Sequence, residues 1–130
     1  MGKKSEKSME EVIREDGRYP PHAYAFLHEG LARAVEQIHG AKQASGFQHV
    51  TGTQLCESLR DLALEKWGML APAVLKRWNI LATIDFGNMV YLLIDNGLMG
   101  KTPEDSIEDF RDVYDFAAAF EAGEEFDLKE

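Results

Sequence analysis

Signals that start and stop helices recur along this chain at spacings that leave little room for other secondary structure. Ser8 with Glu11, and Thr51 with Gln54, have the spacing of capping boxes, in which two side chains satisfy amides that the first helical turn leaves orphaned. Pro21 and Pro72 suit a first turn, where a missing N–H costs nothing. Gly17, Gly40, Gly68 and Asn96–Gly97 stand where the periodic segments should stop.

Between these marks the apolar residues fall at helical spacing. Met9, Val12 and Ile13 define a short first helix. Tyr24, Leu27, Leu31, Ala34, Val35 and Ile38 define a long second one over about 21–39. RYPP, residues 18–21, must be extended, because a proline disfavours a helical residue before it. Residues 41–48, AKQASGFQ, read as a loop. Leu55, Leu59, Leu62, Ala63 and Trp67 carry a third helix from its Thr51 cap to Gly68, with Val50 placed to staple against Leu55. Ala71, Val74, Leu75 and Trp78 mark a short fourth helix ending near Asn79. In the fifth, Thr83 is the expected N-cap, Asp85 sits in the first turn, and Phe86, Met89, Val90, Leu93 and Ile94 face inward.

Beyond Gly97 two readings compete. Thr102 as cap, Pro103 in the first position and Ile107, Phe110, Tyr114 and Ala117 on one face predict a sixth helix, whereas residues 98–111 also suit a short hairpin. Residues 115–120, DFAAAF, read as helical. The expected organisation is a disordered tail at 1–8, a helical domain at 9–120 and an acidic tail at 121–130. The fold class is mainly α: a compact single-domain bundle of five or six helices, with a winged-helix-like core and small β-hairpin as its variant.

A chain of 130 residues, 45% of them hydrophobic, is long enough for one domain with its own core. No apolar run approaches a membrane span, and MGKKSEKSMEE offers no apolar stretch for a signal peptide, so a cytoplasmic protein without membrane contact is expected. A myristoylation signal is nearly matched, but Glu6 stands where Ser or Thr belongs. Cys56 is the only cysteine, which excludes an internal disulfide and a thiolate metal cluster.

Two motifs in TIDFGNMVYLLIDNGLMGKT, residues 83–102, suggest nucleotide chemistry and fail on context. DFG in a kinase follows a glycine-rich loop, a strand lysine and a catalytic loop, none of which precedes it here. GLMGKT has two residues between its glycines, where a phosphate-binding loop needs four. Glu36 and His39 form one ExxH, but a di-iron site needs a second and two more carboxylates. His22, His28, His49 and Cys56 have no spacing that supports a zinc or nucleophilic site. The sequence therefore implies no cofactor, no metal and no catalytic residue, and an enzyme is the less favoured class.

The net charge of -9 is unevenly spread: residues 103–130 hold 2 basic and 11 acidic residues and carry the whole excess. Such a segment repels phosphate and attracts basic partners. Aromatic residues interleave with its acids, an arrangement in which apolar groups contribute affinity and charges steer a basic protein surface. The candidate partner-binding residues are Phe110, Tyr114, Asp115, Phe120, Glu124, Glu125 and Phe126. Residues 107–120 are expected to pack mainly inward and 121–130 to form a mobile arm. Tyr19, Tyr24 and Phe26, around the two prolines, are expected to anchor that corner on the core.

Taken together, RYPPHAYAF, HVTGTQL, LKRWNI, TIDFG and EDSIEDFRDVYDF resemble a family of short bacterial proteins of planctomycete and verrucomicrobial type, over about residues 10–120. The resemblance implies a cytoplasmic bacterial protein and supplies no activity or cofactor. A second resemblance is architectural: helices three to five followed by NGLM and a hairpin are similar to a winged helix, with the recognition helix at 84–96. That helix contains no Lys or Arg, and Lys76 with Arg77 is the nearest basic pair, so nucleic acid is disfavoured on charge grounds. The sequence thus points first to a non-enzymatic interaction or adaptor module meeting a basic protein surface. A winged-helix nucleic-acid-binding regulator comes second and a small metal-dependent enzyme third; a homo-oligomer is compatible with each.

Overall fold

The computed structural model describes residues 7–40 and 49–120. Five α-helices follow in order: α1 Met9–Asp16, α2 Pro21–His39, α3 Gly52–Trp67, α4 Ala71–Arg77 and α5 Thr83–Asp95. Short 3-10 segments occupy Gly68–Leu70 and Ile107–Phe110, and residues 116–120 are helical. No strand forms among the described residues, so the architecture is mainly α.

The caps form as the sequence demands. Ser8 and Glu11, and Thr51 and Gln54, each exchange both hydrogen bonds of a capping box, at 2.9–3.1 Å. Pro21 opens α2, and Gly17 ends α1 at φ 76°, a conformation that costs glycine little.

Three close approaches set the packing. α2 lies on α3 through Gly30, where an added Cβ would stand 2.2 Å from Leu59 Cδ2, and the buried Ser58 hydroxyl donates to the Gly30 carbonyl at 2.8 Å. Phe26, Trp67 and Trp78 then join α2, α3 and the end of α4, with ring centroids 5.1–5.8 Å apart. Phe110 lies against Gly52 of α3 and Gly87 of α5; a Cβ on either glycine would come within 3.0 Å of its side chain.

Residues 98–115 differ from both sequence expectations, while 116–120 are helical, as expected of DFAAAF. Neither a hairpin nor a continuous helix forms; residues 98–120 make a strap of turns, the 3-10 segment and the helical turn at 116–120. The reason is local chemistry. Asp105 Oδ2 accepts from the Thr102 amide at 2.8 Å and Asp109 Oδ2 from the Ser106 amide at 3.1 Å, closing two side-chain turns in succession. Asp115 Oδ2 accepts from the Ala118 amide at 3.0 Å and starts the last helical turn. Thr102 thus begins a turn and not a helix.

Thr83 is likewise not the cap of α5. It is the first helical residue and fully buried; its hydroxyl donates to the Phe110 carbonyl at 2.6 Å and accepts from the Val113 amide at 3.1 Å. Asp85 caps the helix instead, Oδ2 accepting from the Leu81 and Ala82 amides at 2.8 and 3.1 Å. The three DFG residues therefore have structural work: Asp85 caps, Phe86 is core at 1% exposure, and Gly87 admits Phe110.

Candidate functional site

The strap brings acids and aromatics together at the start of α5. Leu81, Ala82, Asp112, Tyr114, Asp115 and Phe116 line an open groove of about 220 Å³. Leu81 is 60% exposed and gives the groove an apolar surface. Tyr114 and Phe116 stack with centroids 5.9 Å apart at 29°. The Tyr114 hydroxyl donates to the Cys56 carbonyl at 2.7 Å, and the Arg60 guanidinium lies 5.7 Å from its ring centroid. This ring is therefore held from behind by α3.

Asp112 and Asp115 supply the groove's charge, and both are exposed. Asp112 has φ 50°, in the left-handed region that Asp tolerates better than most residues. Asp115 keeps one carboxylate oxygen beyond the one that caps residues 116–120. Nearby on the strap, Glu108 pairs with Arg111 at 2.6 Å; both are exposed, so the pair is worth little to stability.

The sequence candidates divide by depth. Phe110 and Phe120 are core residues, 4% and 2% exposed, while Tyr114 is half-buried and Asp115 is exposed. Glu124, Glu125 and Phe126 lie outside the described residues, as does the rest of the acidic tail. Phe116, one of the aromatics that alternate with acids in the sequence, completes the groove with Leu81 and Asp112, which the sequence did not single out. Leu81 follows Ile80 directly in an apolar run, so only the exit of the chain from α4 distinguishes the buried residue from the exposed one.

Other candidates find structural partners. His39 Nε2 donates to the His49 carbonyl at 2.6 Å, and His28 Nδ1 to the Tyr24 carbonyl at 2.9 Å. Cys56 is fully buried and its thiol is pushed up to about 12 by burial, which disfavours the nucleophilic thiolate. Among the described residues no three His, Cys, Asp or Glu side chains gather as a metal site would require. No helix among them is long and apolar enough to cross a membrane.

Lys76 and Arg77 are exposed at the end of α4. Arg77 shares an open groove with Arg14 and Arg18, but Glu10 also lines it and Arg18 is paired with Asp16 at 3.2 Å. α5, the recognition helix of the winged-helix reading, exposes Asp95 alone among its residues; the remainder are buried or half-buried beneath the strap and the other helices. No wing accompanies it among the described residues.

No family model, curated protein or solved structure matches this chain.

Proposed function

We propose that this protein is a non-enzymatic interaction module that receives a basic, partly apolar segment of a partner protein in the groove beside α5. The observation that carries the reading is the exposed Leu81 set among Tyr114, Phe116, Asp112 and Asp115. Apolar surface there offers affinity to the stem of a Lys or Arg side chain, and the two carboxylates favour its charged end. The acidic excess of residues 103–130 extends the same attraction and speeds encounter with a cationic surface.

The nucleic-acid alternative has less support. It rests on Lys76 and Arg77, whereas phosphate binding gains affinity from several cations acting together on one face.

A fluorescent peptide alternating Lys or Arg with Leu serves as the probe, titrated against the full chain. Binding is expected to weaken as salt rises, to fall about ten-fold in the Asp112→Asn, Asp115→Asn double variant, and to fall further with Leu81→Ser. Equal affinity in all three proteins would remove the groove as the site. Duplex DNA that bound the full chain more tightly than the peptide does, and lost that binding in Lys76→Ala, Arg77→Ala, would put the alternative first.

A further inference from the structure

A pocket of about 150 Å³ lies beside the strap, between α2, α3, α5 and residues 99–110, and is partly open to solvent. One side of it is apolar, made by Leu31 and Val35 of α2, Leu55 of α3, Val90 and Ile94 of α5, and Met99. A cavity of that order holds a benzene ring in other proteins, so an isobutyl group has room here. Covering these walls removes apolar surface from water, which contributes affinity.

The other side carries charge of both signs. Both oxygens of Asp105 are engaged: Oδ2 accepts from the Thr102 amide at 2.8 Å, and Oδ1 lies 3.2 Å from His49 Nε2. Asp109 is half-buried; its Oδ2 accepts from the Ser106 amide at 3.1 Å, and its Oδ1 has no partner among the described residues. Lys101 is exposed, donates to the Thr102 carbonyl at 3.3 Å and pairs with no carboxylate among the described residues. Asp109 and Lys101 therefore line one pocket with opposite charges that do not pair with each other. The first turn of α3, from Gly52 to Leu55, forms a further wall, and the start of a helix adds partial positive charge on the side of Lys101 in the balance.

This lining selects among ligands. A purely cationic ligand is opposed by Lys101, a purely anionic one by Asp105 and Asp109, and a neutral apolar one uses neither charge. A zwitterion with an aliphatic body uses both charges and the apolar walls together, and the long Lys101 stem lets its ammonium follow a carboxylate at the mouth. We infer that the pocket binds a free amino acid with a leucine-sized aliphatic side chain, the side chain on the apolar walls, the ammonium at Asp109 and the carboxylate at Lys101.

Titration of the full chain with leucine, leucinamide and 4-methylpentanoate, followed by protein chemical shifts in NMR, tests this. Leucinamide lacks the carboxylate, as the first residue of a peptide does, and 4-methylpentanoate lacks the ammonium. Leucine is expected to saturate at millimolar concentration and to shift resonances of Val90, Ile94 and Met99, with each analogue weaker by about five-fold or more. Lys101→Met should make leucine and leucinamide equal. Asp109→Asn keeps an oxygen for the Ser106 amide and should bring leucine down to the level of 4-methylpentanoate. Absence of saturable leucine binding overturns the inference, and so does either analogue binding wild type as tightly as leucine. Shifts confined to Leu81 and Phe116 would overturn it as well. If Asp109→Asn fails to fold by circular dichroism, the analogues on wild type and Lys101→Met decide alone. None of these outcomes depends on the peptide groove beside α5.

Discussion

The Tyr19 hydroxyl donates to Asp85 Oδ1 at 2.6 Å across 66 positions of sequence, while the other oxygen of the same carboxylate caps α5. Asn88 adds a donor to the Tyr19 oxygen at 3.2 Å, and Asn79 Nδ2 reaches the Arg18 carbonyl at 3.2 Å. The RYPP corner and the turn into α5 are thus one polar joint, and its members depend on each other.

Asp85→Ala should therefore cost more than a lost helix cap. About 1 kcal/mol belongs to the cap and a further ~1–3 kcal/mol to leaving the Tyr19 hydroxyl short of its acceptor. Tyr19→Phe alone should cost about 1 kcal/mol, and the double variant should show coupling of at least about 0.5 kcal/mol. Urea unfolding of the four proteins measures this; strict additivity would mean that the joint is not cooperative.

Phe110 gives the glycines unequal roles. Gly87→Ala should destabilise the fold by about 1–3 kcal/mol, because the new methyl would meet Phe110 Cβ and Cγ at 2.9 Å. Gly52→Ala should behave similarly. Gly100→Ala, with open space around it and no positive φ, should stay within about 0.5 kcal/mol of wild type. Thermal melts of the three proteins give the ranking directly.

Thr83→Val retains shape and removes the hydroxyl that links the Phe110 carbonyl to the Val113 amide. Two polar groups lose their partner in a site with little access to water, so a loss of about 2–4 kcal/mol is expected, with Thr83→Ser recovering most of it. Hydrogen exchange should rise first in the strap, beginning with the Val113 amide.

Alkaline conditions should destabilise the protein, because none of its four tyrosines is exposed. Burial, and then the Asp85 contact, push the Tyr19 phenol up to about 12 from 10.0, and burial raises Tyr24, Tyr114 and the Cys56 thiol in the same direction. A raised pKa in the folded state means that the unfolded chain loses the proton first. The corresponding stability is complete below about pH 9 and declines as pH climbs through the range from about 9 to 12. Denaturant midpoints between about pH 8 and 11 should fall steadily, and Tyr19→Phe should make that fall shallower.

How far each element was legible depends on the range of the interactions that decide it. The five helices rest on contacts within three or four residues: Thr51 needs Gln54, α1 needs Ser8, Glu11 and Gly17, and α2 needs Pro21 and an apolar face. Such terms are written in the local order of residues, and the structure reproduces these segments closely. Tyr114 and Asp115 also stood out, because acids and aromatics alternate there.

Of the strap, only the helical turn at 116–120 was legible, in DFAAAF. Its other residues suit a hairpin and a helix about equally, and each short stretch gains little from either alone. What decided the outcome was Phe110 docking on Gly52 and Gly87, with Thr83 clasping its carbonyl, contacts that exist only once α3 and α5 are side by side. The same docking made Thr83 a clasp and not a cap. Sequence determined the helices because their free energy is local; tertiary structure alone decided most of the strap and the groove beside it because theirs is shared between residues distant in the chain.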